Sequence, residues 1–174
     1  MSAELARWPR TAAKPMAFSG GEFTRGVLVA WVIFVALSEV AYVIFLRIPV
    51  PGLVYEEFNG MSGEALFWNR VRTFPLLWLP VSGVVALLLA PVGYLLGSLL
   101  RRVLPLPLHF LAYAALGSAL GLLWLAVCRF GGIDPLGPLG LGVGLSIAVA
   151  IPLGWLSTAF IALRRDKRRG RTPF

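Results

Sequence analysis

The chain has 174 residues, 58% hydrophobic and only 14% charged, with a mean hydropathy of +0.81. Ordinary soluble domains carry about 25% charged residues, so a water-soluble domain and a disordered chain are both excluded, and one Cys cannot form an internal disulfide. Sixteen Lys and Arg against eight Asp and Glu leave a net charge of +8. In so apolar a chain that excess points to membrane topology and anionic lipid heads, not to nucleic acid.

Residues 1–25 are polar and basic, with Pro9, Pro15 and Gly20-Gly21, and read as a cytoplasmic lead-in. Four segments then lack the charges that would keep them out of a bilayer, which takes about 20 apolar helical residues to cross. Gly26 to Leu46 is apolar except for Ser38, Glu39 and Tyr42; Thr73 to Leu100 and Val103 to Cys128 hold no Asp, Glu, Lys or Arg; Pro135 to Leu163 is the fourth. A membrane barrel would show alternation instead of such runs. The expected fold is therefore an all-α integral membrane bundle of four transmembrane helices, about 26–46, 76–100, 108–129 and 141–163, within a membrane domain 26–163. The first hydrophobic run is longer than a signal peptide's and no small-x-small site follows it, so it is expected to stay as an anchor helix.

The longest connection, the outer loop 47–75, opens on Ile48-Pro49-Val50-Pro51-Gly52, where each residue before a proline is pushed towards an extended backbone. Asn59-Gly60 reads as a turn. Ser62 can then cap a short helix with Glu64 in its first turn. Leu66, Phe67, Arg70, Val71 and Phe74 on one side, with Trp68 beside them, would lay that helix along the outer interface.

Orientation follows from the basic residues. Arg7, Arg10, Lys14, Arg25, Arg101, Arg102, Arg164, Arg165, Lys167, Arg168, Arg169 and Arg171 fall on one side, against Arg47, Arg70, Arg72 and Arg129 on the other. Basic loops stay cytoplasmic, so both termini are expected inside, with residues 164–174 as a basic cytoplasmic tail. Arg outnumbers Lys 14 to 2 amid abundant Leu, Ala, Gly and Val. That usage fits a GC-rich bacterial genome and hence a multi-pass protein of a bacterial inner membrane.

Within the bilayer, helices associate where small residues let backbones approach. Helix two offers Ser82, Ala86, Ala90, Gly93 and Gly97; helix three offers Gly117 and Gly121; helix four offers Gly140, Gly144 and Ala148. These stripes serve packing within the bundle or contact with a second copy. Pro91-Val92-Gly93-Tyr94-Leu95 also resembles Pro152-Leu153-Gly154-Trp155-Leu156, each followed by a double arginine. A parallel repeat of two helical hairpins would produce that match, and so would chance in so small an alphabet.

Reactive side chains are few. One His and one Cys, His109 and Cys128, cannot make a zinc site that needs three or four ligands. His109 is expected at the membrane interface and Cys128 as a small apolar residue, with no cofactor and no catalysis. Glu39 stands out, because a charge at the centre of a spanning helix costs about 2.5–3.5 kcal/mol and marks function or a partner. With Ser38 and Tyr42 it forms a polar stripe, and Arg129, at the outer end of helix three, can swing its charge towards the same depth. A Glu39–Arg129 pair and a proton site at Glu39 are the two expectations. The scarcity of reactive residues and the small-residue stripes point to a non-enzymatic accessory, assembly or immunity-type protein acting through helix packing. A proton site at Glu39 accords instead with a small proton-coupled transporter. Expected partners are the bilayer, anionic lipid heads at the cytoplasmic face, and a membrane protein or second copy.

Overall fold

The computed structural model describes residues 16–47, 63–103 and 105–168. They form four helices, α1 Gly20–Arg47, α2 Gly63–Leu100, α3 Leu106–Phe130 and α4 Val143–Arg168, with a π-helical turn at Pro138–Gly142 before α4. All four are long and apolar enough to cross a membrane. No strand occurs among the described residues. The outer-loop residues Pro49, Pro51, Asn59 and Gly60 lie outside the described residues.

Local chemistry sets the helix ends. At the start of α1 the Ser19 N–H donates to Glu22 Oε2 at 2.9 Å, and the Glu22 N–H donates to Ser19 Oγ at 3.3 Å. This reciprocal capping box satisfies two of the four donors that a helix start leaves open. Pro105 precedes α3 and Pro107 lies in its first turn, where no intrahelical N–H is needed. α3 stops where Gly132 takes a φ of 73°. The Ile133 N–H then closes onto the Cys128 carbonyl at 2.9 Å, the six-to-one bond of a Schellman end. Asp134 Oδ1 accepts from the Leu136 N–H at 3.0 Å, and the chain reverses through the π turn into α4.

The interfacial helix expected at Gly63–Thr73 is not separate. Those residues are the first turns of a single 38-residue helix that continues through Pro75, Pro80 and Pro91. Each proline removes one donor, a loss that neighbouring helices can accommodate in a membrane bundle. Here Phe74, just before Pro75, stacks on Tyr42 at 4.2 Å between ring centroids and on Trp78 at 5.6 Å. Arg47, at the end of α1, places its guanidinium 3.9 Å from the centre of the Phe67 ring. α2 thus stands against α1 along its length instead of turning flat beyond Phe74.

The core lies on α4. α1 and α3 each pack along it, whereas α2 packs mainly on α1, and α1 and α3 do not meet. α4 accordingly carries most of the buried positions, among them Gly144, Ala150, Gly154, Trp155, Thr158 and Ala162. α2 buries only Leu66, Phe67 and Ser82 and turns Leu76, Leu87 and Leu88 outward. The two hairpins are therefore not packed as equivalents: α4 is central and its counterpart α2 peripheral. α1 begins and α4 ends at the same end of the bundle, called here the basic end because Arg101, Arg102, Arg164 and Arg165 lie there. α4 also runs past Leu163 to Arg168 and buries Asp166, so the helix includes part of the expected tail.

Candidate functional site

The helix seams show what the small residues do. A Cβ added at Gly117 would sit 2.8 Å from the Ala148 carbonyl oxygen, and one at Gly121 would sit 2.6 Å from that of Gly144. α3 and α4 therefore touch backbone to backbone, as small-residue packing requires. Gly93 and Gly97 instead make room for aromatic side chains, the Phe23 ring 3.8 Å from a Cβ at Gly93 and the Tyr113 hydroxyl 2.9 Å from one at Gly97. Gly140 is not in a helix seam. It lies in the π turn, where an added Cβ would strike the carbonyl of Pro135.

The tightest α1–α4 approach is absent from the expected stripes. Gly154 lies against Ala30, and Gly26 against Thr158, whose Oγ1 would be 2.9 Å from a Cβ at Gly26. Further along, Gly142 faces Ala41 and Phe45. The signal was present as Gly26 and Ala30 four residues apart on α1. On α4, Gly154 and Thr158 repeat the same spacing.

These contacts orient α1. Nine residues separate Ala30 from Glu39, which at about 3.6 residues per turn is two and a half turns. Glu39 thus points away from α4, on the side that carries exposed Leu28 and Val32. It stands eight residues from Arg47, about 12 Å inside the end of the helix at 1.5 Å per residue. Ser38 turns inward, is 2% exposed and bonds back to the Val35 carbonyl at 3.0 Å. Tyr42 stacks on Phe74. The expected Glu39–Arg129 pair does not form: no ion pair joins them among the described residues, and α4 separates the helices that carry them. The polar stripe is thereby divided, with Ser38 buried, Tyr42 stacked on Phe74, and Glu39 half-buried on the side of α1 away from α4.

The bundle interior towards the end opposite the basic one is aromatic. Trp78 meets Phe34, Phe74 and Trp124, the last at 5.9 Å, and Trp124 Nε1 donates to the Leu139 carbonyl at 2.7 Å. Trp31 Nε1 donates to Ser82 Oγ at 3.1 Å, tying α1 to α2 one turn nearer the basic end.

A second aromatic group closes the basic end, and His109 belongs to it. His109, in the first turn of α3, is only 1% exposed, so it is packed inside the bundle. Its ring stacks on Trp155 at 5.4 Å and 8°, and Tyr113 stacks on the same indole at 5.5 Å. His109 Nε2 lies 2.8 Å from the Val103 carbonyl. A carbonyl only accepts, so Nε2 carries the proton and donates. Tyr113 donates to the Gly93 carbonyl at 3.2 Å. The lead-in docks here too, with Met16 buried and its N–H donating to the Arg101 carbonyl at 3.3 Å. Cys128 is fully buried near the other end of α3. Among the described residues no three His, Cys, Asp or Glu side chains gather as metal ligands would. No family model matches the chain, and comparison with curated proteins and with solved structures returns no match either.

Proposed function

We propose that this protein is a non-enzymatic accessory or assembly subunit of a bacterial inner membrane, immunity-type proteins included, that acts by packing one helix face against a partner. Both termini lie in the cytoplasm in this reading, because twelve of its basic residues belong to that side. The bilayer itself is a further partner, through anionic heads at the cytoplasmic face.

The observation that carries the reading is the placement of Glu39, half-buried on the side of α1 away from α4. A carboxylate at that depth with lipid alone around it is costly, and a basic or hydrogen-bonding group on another chain relieves the cost. The face around it is otherwise apolar, with Leu28 and Val32 exposed. A helix bearing an Arg, Lys or polar donor at matching depth fits it. The transporter alternative needs Glu39 to line a path through the bundle. Glu39 turns away from α4, and the nearby interior is occupied by Tyr42, Phe74 and Trp78, which favours packing over passage.

The test is co-purification from native membranes. Wild type should bring down a membrane partner or a second, differently tagged copy, and Glu39→Leu should lose it while keeping its own melting temperature. Equal recovery with Glu39→Leu would remove the reading. Proton-dependent flux that disappears in Glu39→Gln would install the transporter in its place.

A further inference from the structure

A cavity of about 220 Å³ opens at the basic end between the start of α1, the end of α2 and α3. Pockets for drug-sized ligands run to about 300–1,000 Å³, so this one suits a small group and not a nucleotide or haem. Its walls divide by chemistry. Phe18 and Phe23 give an apolar side, while Tyr94, Ser98, Arg101 and Tyr113 give a polar one. The Phe23 and Tyr94 rings pack edge to face at 5.4 Å, which joins the α1 and α2 walls of the cavity. Gly97 forms part of the wall, and its lack of a side chain keeps the space beside the Tyr113 hydroxyl open.

The donors in this wall are unequally committed. Ser98 Oγ already donates to the Leu95 carbonyl at 2.8 Å and Tyr113 to that of Gly93. Arg101 has no ion pair among the described residues, and its five N–H groups form the planar fork that matches phosphate oxygens. Arg102 adds a second positive charge next to it. Tyr94, 55% exposed, lines the same cavity and carries a hydroxyl.

We infer that this cavity binds a phosphate-bearing anion, with Arg101 as the charged clamp and Tyr94 as a hydroxyl donor. Two sources present that group at the basic end, the head of an anionic phospholipid and a free phosphate in the aqueous phase. Apolar Phe18 and Phe23 among the lining residues suit a glycerophosphate head with the first carbons of its chains. The inference rests on the membrane seating of the bundle and not on the partner at Glu39.

The test is thermal stability of the purified protein in neutral detergent, which needs no partner. Phosphatidylglycerol, phosphatidylcholine and inorganic phosphate are titrated separately against wild type, Arg101→Gln, Tyr94→Phe and, as a remote control of equal charge loss, Arg168→Gln. A ligand that binds only the folded state raises the melting temperature with concentration. Phosphatidylglycerol should raise it, Arg101→Gln should weaken the apparent affinity at least about tenfold, Tyr94→Phe less so, and Arg168→Gln should match wild type. A rise with phosphatidylglycerol alone identifies the lipid source; an equal rise with inorganic phosphate identifies a free anion. No rise with either, or equal losses in Arg101→Gln and Arg168→Gln, would overturn the site. Loss of co-purification through Glu39 would leave this result untouched.

Discussion

Gly154 of α4 lies directly against Ala30 of α1, so closely that a methyl group at position 154 would collide with the Ala30 side chain. That one contact sets the crossing of the two helices and, with it, the direction of Glu39 away from α4. In a helix interior Gly→Ala normally stabilises by about 0.5–1 kcal/mol. Here the clash should win, because overpacking a seam costs about 1–3 kcal/mol. Gly154→Ala should therefore lower the melting temperature in detergent, and Ala30→Gly in the same chain should recover part of the loss. Additive effects of the two changes would mean that the residues do not touch.

The α3–α4 seam gives a second expectation. Gly117→Ile and Gly121→Ile place branched side chains where the Ala148 and Gly144 carbonyls lie. Both should reduce stability by more than about 1–3 kcal/mol, since backbone cannot move aside as a side chain can. Gly93→Ala and Gly97→Ala face the Phe23 ring and the Tyr113 hydroxyl instead. Of this pair, Gly93→Ala should be tolerated and Gly97→Ala should cost more. Equal melting curves for all four variants would contradict these seams.

How much of this was legible beforehand depends on the scale of the signal. Four spans were readable because 20-residue stretches without charge have few alternatives in any fold. The stripes at Gly117, Gly121 and Gly144 were readable because a four-residue spacing places small residues on one side of a helix. Which helix would be central was not readable, since lipid-facing and buried positions are equally apolar in a bilayer. Hence Gly154 looked like one half of a repeat motif and not like the tightest contact in the bundle. Pro75 suggested a break because a proline weakens a helix, and only the stacking of Phe74 between Tyr42 and Trp78 shows why α2 runs on. The burial of His109 is not legible because a single polar residue near a helix start carries no periodicity. Its burial depends on Trp155 and Val103, 46 residues later and six residues earlier in the chain. Ser19 and Glu22 did carry a readable signal, the S-x-x-E spacing of a capping box, and it moves the start of α1 from Gly26 to Gly20.

His109 itself is testable. Replacing it with Leu removes the Nε2 donor and leaves the Val103 carbonyl to find another partner, which costs about 1–3 kcal/mol when buried. His109→Leu should destabilise accordingly. His109→Gln, which can restore a donor but not the ring stack on Trp155, should fall between it and wild type. Thermal melts of the three proteins decide the matter; indistinguishable curves would mean that the bond contributes nothing.

Topology can be read with the native cysteine left in place, because Cys128 is fully buried. A cysteine at the exposed Asp134 should react with an impermeant maleimide in intact cells. One at the exposed Lys167 should react only after permeabilisation. Reversed labelling would place the termini outside and invert the proposed orientation.

The partner face on α1 is tested most directly by photo-cross-linking in native membranes. A photoreactive residue at Val32, 58% exposed on the Glu39 side, is compared with one at Leu87, 72% exposed on α2. Val32 should give a discrete protein adduct that disappears when Glu39→Leu is added, and Leu87 should give none. Adducts of equal yield at both positions, or an adduct at Val32 that survives Glu39→Leu, would contradict it.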